Sequence, residues 1–210
     1  MACAICSVRR PKRLCPGIGG EICSICCGTE REVTVTCPLD CEYLQEARQH
    51  DKPVALGWTK LPHEDIRVDE KFLRDHDELV VFLAESLSAA ALAASTAADN
   101  DVRDALDALI RTYRTLEAGV YYETVPENAL ASRVFRVVQD DIARFRMEER
   151  QGRAIASIRD ADILRALVFF ARLELDRNNG RPRGRAFIGL LRELSPIPSD
   201  SDARSRLVIP

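Results

Sequence analysis

From residue 69 onward, apolar side chains recur at three- and four-residue steps, the spacing that places them on one face of an α-helix. The repeat is clearest over residues 102–116 and stops at Gly119, which suits the left-handed backbone that often ends a helix. Asn100 or Asp101 can cap this helix, and Pro126 fits the first turn of the next. The pattern predicts five helices, over residues 69–98, 101–118, 126–152, 161–176 and 185–194.

The segments outside these helices have no steady hydrophobic period. Residues 51–68 contain two prolines and a glycine, which predicts a linker in which Trp58 packs against an apolar surface. The end of the chain is rich in Pro, Ser and Asp, which predicts a mobile tail. The predicted fold is mostly α, a small N-terminal Cys-rich module with two zinc ions followed by an all-α helical bundle. Its parts are a Cys-rich head at 1–50, a linker at 51–68, a helical bundle at 69–194 and a tail at 195–210.

The most apolar window, residues 79–98, is about as long as a membrane span. Much of it is alanine, and Glu85 and several hydroxyl side chains interrupt it, so we predict a buried helix of a soluble protein and no membrane contact. Small residues from Ser86 to Ala98 predict close helix–helix contact, either within the chain or between chains in a homo-oligomer.

Composition and charge limit the kinds of binding partner and the cellular compartment that we expect. The 210 residues are 46% hydrophobic and 30% charged, with a formal net charge of -3, which argues against a broad electropositive surface for nucleic acid. The first ten residues contain no apolar run of signal-peptide length, so we expect a cytoplasmic protein with reduced thiols.

All eight cysteines lie in the first 41 residues, and the remaining 169 residues contain none. CAIC at 3–6 and CSIC at 23–26 share one motif, and a Cys-Pro pair follows each of them, so the segment is a degenerate repeat. Structural zinc is almost always four-coordinate, and eight thiols therefore match two Zn²⁺ sites. The predicted metal ligands are Cys3, Cys6, Cys15, Cys23, Cys26, Cys27, Cys37 and Cys41.

The adjacent pair Cys26 and Cys27 indicates how the thiols divide. A tight turn within C-x2-C lets both sulfurs reach one ion at about 2.3 Å, whereas the side chains of neighbouring residues diverge. Gly28 supplies backbone freedom where the chain changes sites. Our hypothesis assigns the first ion to Cys3, Cys6, Cys23 and Cys26, and the second ion to Cys15, Cys27, Cys37 and Cys41.

A head of this size needs the metal, because domains near about 40 residues seldom fold on hydrophobic burial alone. Other uses of the thiols stay open. Disulfides need an oxidising compartment, an iron–sulfur cluster can use the same ligands, and redox catalysis by CSIC needs a thioredoxin-like βαβ setting. His50, nine residues after Cys41, is a candidate replacement for one thiol.

The ligand count and alternation resemble cross-brace zinc modules of the MYND and B-box kind, and this resemblance implies a protein partner. The second ligand group here is not a compact C-x2-C, and the adjacent cysteines are foreign to those motifs. Residues 1–50, ending in CPLDCEYLQEARQH, are also similar to the start of uncharacterised bacterial proteins that join such a head to a helical body. That second resemblance implies no activity.

Three functions compete. The leading one is a protein-interaction or regulatory scaffold with structural metals. The second is a nucleic-acid-associated regulator that uses the basic loop at 9–13, although residues 1–50 contain six basic and six acidic side chains. A basic turn, NNGRPRGR at 178–185, is a further phosphate-binding candidate. The third is an enzyme with a site near Tyr122 and Glu123, beside Tyr121, which requires burial to shift their pKa values.

Overall fold

The computed structural model describes residues 2–50, 61–151 and 158–195, so the predicted position of Trp58 and nearly all of the predicted tail lie outside the described residues. Within these ranges the chain forms eight α-helices and one two-stranded antiparallel sheet, which confirms the mostly α fold class. The strands are β1 (Arg13–Cys15) and β2 (Gly20–Ile22). The helices are α1 (Ser24–Glu30), α2 (Glu42–Arg48), α3 (Glu70–Asp75), α4 (Asp77–Leu92), α5 (Asp99–Glu117), α6 (Ala129–Gln151), α7 (Asp160–Arg177) and α8 (Ala186–Leu194).

Helix α5 follows its predicted periodicity most closely. Val102, Leu106 and Leu109 are fully buried, and the chain leaves the helix through Gly119 at a φ of 80°. The helix begins slightly earlier than predicted because the carboxylate of Asp101 accepts the N–H of Ala98 at 2.8 Å and caps the first turn.

The predicted helix over 69–98 is wrong as a single element, and its last helical residue is Leu92 rather than Ala98. Helix α3 ends at Asp75 and α4 starts at Asp77, because the backbone of His76 is not helical, with φ −130° and ψ 33°. The Nδ1 atom of the His76 ring lies 3.0 Å from the carbonyl oxygen of Phe72, where it competes with the backbone hydrogen bonds of the helix.

The start of α6 also differs from the prediction. The helix begins at Ala129 and not at Pro126, because the side-chain oxygen of Asn128 accepts the N–H of Leu130 at 2.9 Å and ends the extended segment there. Asn is one of the residues that most favour this capping position.

We define the body as helices α3 to α8 and the described segments between them. Helix α5 lies at its centre, and the other helices pack around it. Helix α5 packs on α7 and α6, while α4 packs on α6 and α8. Phe135, Phe170 and Phe187 are fully buried in this core, where each large ring removes a substantial apolar area from water. No helix within the described ranges has both the length and the apolar character needed to cross a bilayer.

The small residues from Ser86 to Ala98 make the predicted close contact within the chain. Ala91 and Ala97 are fully buried in the core of the body, and the Ser86 hydroxyl donates to the Asp141 carboxylate on α6 at 2.6 Å. These side chains are therefore used inside this chain, and association between chains stays a prediction.

The head, residues 2–50, has a separate small core in which cysteines surround Ile22, Val35 and Leu44. Strands β1 and β2 pair with Cys15 opposite Gly20. Leu39 is buried in the core of the body rather than in the core of the head. The second half of the head is therefore packed directly against the helices.

Candidate metal centre

One group of four cysteines converges where β2 leads into α1, and we call it the first site. The sulfur atoms of Cys3, Cys6, Cys23 and Cys26 all lie within 4.8 Å of one another. A tetrahedral ion with sulfur at about 2.3 Å requires sulfurs about 3.8 Å apart, so small side-chain adjustments bring all four to bonding distance. These are the four residues that the sequence assigns to the first ion, and together they could hold a metal.

Local backbone geometry positions these sulfurs. Cys23 follows β2 and caps α1, so that its sulfur accepts the N–H of Cys26 at 3.4 Å. The N–H of Cys23 in turn donates to the sulfur of Cys3 at 3.2 Å. After Cys6 the chain turns sharply through Ser7, which has a φ of 54°. Hydrogen bonds of this kind stabilise thiolates, the form that binds a metal.

The electrostatics of the first site also suit a cation. The backbone N–H of Cys6, together with those of Cys23 and Ile5, lowers the pKa of Cys3 to about 6. Burial, together with the neighbouring sulfurs, raises the pKa of Cys26 to about 12. Four thiolates therefore cannot share this space without a compensating positive charge, which a divalent metal supplies as it displaces the protons.

The other four cysteines line a single pocket beside β1, and we call it the second site. Cys15, Cys27, Cys37 and Cys41 all contribute to its wall. Burial raises the pKa of the Cys37 thiol, and the nearby Cys41 and Cys15 raise it further. In the part of the chain that the structure describes, only the first site brings three or more ligand atoms within 4.8 Å of one another.

Arginine side chains contact sulfur at both groups of cysteines. The pKa of Arg9 is raised chiefly by a hydrogen bond to Cys23, and Nη1 of Arg13 lies 3.4 Å from the sulfur of Cys27. Arg31 approaches the same sulfur at 4.0 Å. Two of the four cations in the basic loop at 9–13 therefore face thiols, a role that the sequence interpretation did not assign to them.

Sequence reasoning missed Glu32, which is fully buried between the head and the body. Its carboxylate accepts hydrogen bonds from Asn179 at 2.7 Å, from the N–H of Arg185 at 3.0 Å and from Arg48 at 3.0 Å. The only signal in the sequence was the NNGRPRGR turn, where a cluster of donors suggested an anion. That anion is a carboxylate of the same chain.

Other predicted residues do not join these groups. His50 is exposed just after α2 and does not belong to the first site. Tyr121, Tyr122 and Glu123 are exposed, with the Tyr121 hydroxyl 3.3 Å from the Glu123 carboxylate. The burial that the enzyme hypothesis requires is therefore not found at these three side chains.

The fold and the first site define a mostly helical protein with a candidate four-cysteine metal site at its N-terminal end. Comparison with protein-family models, with curated proteins and with solved structures finds no match to this chain. The resemblance of the head to cross-brace modules and to the heads of bacterial proteins stays a prediction.

Proposed function

We propose that the chain is a zinc-binding protein whose head holds two structural Zn²⁺ ions and serves protein interaction. The convergence of four sulfurs at the first site carries this proposal. The first ion is bound by Cys3, Cys6, Cys23 and Cys26, and the second by Cys15, Cys27, Cys37 and Cys41.

Zinc fits the first site better than the other uses of cysteine. All eight cysteines are free thiols, so a disulfide framework has no support in this geometry. Soft thiolate ligands in a closed tetrahedral set favour zinc or an iron–sulfur centre. Structural zinc contributes roughly 10 to 16 kcal/mol in small peptides, which suits a head whose core consists largely of cysteine.

The second ion is supported by composition and charge rather than by convergence. The four cysteines left over from the first site all line one pocket, and two arginines approach one of their sulfurs. Closing a four-thiolate site there requires the walls of the pocket to move inward as the ion binds. We infer that the second ion completes the folding of the head.

Exposed apolar side chains on the head support a protein partner. Val8 is 83% exposed and Leu14 is 68% exposed, and Ile25 is also largely open to solvent. Exposed apolar side chains contribute favourable free energy when another protein surface covers them. Arg10 and Lys12 are exposed beside them, which favours a partner that also carries acidic groups.

Metal analysis of the purified full chain tests the proposal. We expect two zinc ions per chain, and one fewer in each of the variants Cys3→Ser and Cys37→Ser. Bound iron with inorganic sulfide, or no metal at all, would contradict it. For the partner, immobilised full chain and a Val8→Ser/Leu14→Ser variant are compared for retained proteins, and equal retention would reject the exposed anchors.

The nucleic-acid alternative has its own assay. Affinity for DNA or RNA that falls steeply with salt concentration is the signature of phosphate contacts. We expect no such salt-dependent affinity, because Arg9 and Arg13 face sulfur atoms and the net charge is -3.

A further inference from the structure

We propose that metal binding at the second site and docking of the head on the body form one coupled equilibrium, carried by residues 31–40. The inference rests on the proposed second zinc site. In this inference, the metal affinity of the second site depends on whether the head is docked on the body, and the metal affinity of the first site does not.

The contacts between head and body are concentrated in one short segment. Within residues 2–50, 61–151 and 158–195, the hydrogen bonds and ion pairs that join the head to the body all come from residues 31–40 of the head. On the body they reach the turn at 178–185 and Arg192 of α8. Leu39 adds an apolar contact in the same segment.

Glu32 is the centre of this contact. Its carboxylate accepts hydrogen bonds from Arg48 of the head and from Asn179 and Arg185 of the body. Its carbonyl oxygen accepts the N–H of Arg183 at 2.8 Å. The residue has a φ of 53°, which is uncommon for a residue with a side chain and shows that the surrounding contacts determine its backbone.

The same segment supplies ligands and supports for the second site. The backbone N–H of Glu32 lies close to the Cys37 thiol. Thr36, directly before Cys37, accepts a hydrogen bond from Arg183 at 2.9 Å. Asp40, directly before Cys41, pairs with Arg192 of α8 at 2.7 Å.

Two of the four second-site ligands therefore follow a residue that the body holds. If the head leaves the body, Cys37 and Cys41 lose the contacts that fix their backbone. A ligand set that is less well ordered binds a metal more weakly, because part of the binding free energy is then spent on ordering it.

The first site is supported from within the head. The N–H of Ala4 donates to the carbonyl oxygen of Glu21, and the N–H of Lys12 donates to that of Ile22, both at 2.9 Å. The first-site sulfurs receive their hydrogen bonds from backbone N–H groups of the head. Weakening the contact between head and body should therefore lower the affinity for the second ion and leave the affinity for the first ion unchanged.

Thermodynamic linkage makes the effect reciprocal, so binding of the second ion must favour the docked body by the same factor. Couplings between sites are typically about 5- to 150-fold. The two exposed contacts are a hydrogen bond and an ion pair, each of which contributes little alone, so we expect their joint loss to change the affinity by about 10-fold.

The test uses zinc-loaded full chain and competition with a chromophoric chelator, which resolves the two ions by affinity. The variant Arg183→Gln/Arg192→Gln removes two body contacts to the head and leaves every cysteine in place. The matched control is Arg67→Gln/Arg74→Gln, which makes the same charge change in ion pairs that do not involve the head. Cys3→Ser and Cys37→Ser identify which step belongs to which site.

We expect the first variant to weaken only the ion that Cys37→Ser abolishes, by about 10-fold, and the control to weaken neither. Glu32→Gln, which puts a donor where a buried carboxylate oxygen accepts, should weaken the same ion more strongly. Unchanged affinities in both contact variants, or equal weakening of both ions, overturn the coupling while leaving the two-zinc proposal intact. A wild-type chain that binds fewer than two ions defeats the second site and the inference with it.

Helix melting followed by circular dichroism supplies the reciprocal measurement, because the body contains most of the helix. The melting temperature of the body should fall further in Cys37→Ser than in Cys3→Ser. Equal melting temperatures in these two variants would also overturn the coupling.

Discussion

The stability of the body should depend on the protonation of Asp99, the first residue of α5. Its carboxylate oxygens accept the N–H groups of Phe187 at 3.1 Å and Ile188 at 3.0 Å, and so cap α8 from across the core. The side chain is 3% exposed. Because α8 carries Arg192 and packs beside Leu39, this cap also holds the surface on which the head docks.

Burial raises the pKa of Asp99 to about 7, against the lowering effect of the two N–H donors. An aspartate in an unfolded chain has a pKa of about 3.9. The folded protein therefore binds this proton more tightly, and the resulting stability is complete below about pH 4 and lost as the pH rises through about 7. At 1.36 kcal/mol per pKa unit the full effect is about 4 kcal/mol, of which about 2.5 kcal/mol falls between pH 5 and 8.

Urea unfolding of the wild type and of Asp99→Asn, followed by circular dichroism at several pH values, measures this effect. Both chains carry the same cysteines, so release of metal at low pH cancels in the difference between them. Between about pH 5 and pH 8, we expect the free energy of unfolding of the wild type to fall by about 2.5 kcal/mol relative to that of the variant. Thr112→Val removes a buried hydroxyl that does not titrate. Its free energy of unfolding should therefore differ from that of the wild type by the same amount at every pH. A flat difference for Asp99→Asn would refute the reasoning.

Two further substitutions test the contacts described above, each by urea unfolding. Gly189→Ala should change the free energy of unfolding by less than about 1 kcal/mol. Its new Cβ would lie 2.8 Å from Nη1 of Arg48, the end of a flexible side chain that can move, and the gain of about 0.5 to 1 kcal/mol from an alanine in a helix opposes the cost of that movement. A loss of more than about 2 kcal/mol would contradict this balance. Arg103→Met should lower the free energy of unfolding by about 3 kcal/mol, because the buried carboxylate of Glu174 loses its two hydrogen bonds from Arg103. Arg103→Met/Glu174→Met should recover part of that loss. A double variant as unstable as the single one would contradict the pairing.

The helices of the body were predictable because burial imposes a period on the sequence. Helix α5 shows the clearest repeat, and five of the residues that the repeat selects are buried: Val102, Leu106, Leu109, Ile110 and Tyr113. The break at His76 was not predictable, since the apolar period continues through it and the cause is a side-chain contact with the Phe72 carbonyl. Periodicity reports which face is buried, but it does not report where one turn of backbone is distorted.

The grouping at the first site was predictable from local geometry alone. Neighbouring side chains diverge, so Cys26 and Cys27 had to belong to different groups, and the structure places Cys26 with Cys3, Cys6 and Cys23. The contact at Glu32 was not predictable, because its body partners are about 150 residues away in sequence. A buried carboxylate with distant partners has the same local sequence as an exposed one.

Charge explains why the head places arginines against its sulfurs. In the zinc-loaded form that we propose, eight ionised thiols and two Zn²⁺ ions add a net charge of -4, which takes the formal charge of -3 to -7. Arg9 beside Cys23, and Arg13 and Arg31 beside Cys27, offset this charge where it is concentrated. The run VRRPKR, which suggests phosphate binding when it is taken alone, therefore belongs in part to the surroundings of the cysteine sulfurs. A loaded protein that is more acidic than its sequence is a poor binder of nucleic-acid backbone and a better match for a protein partner.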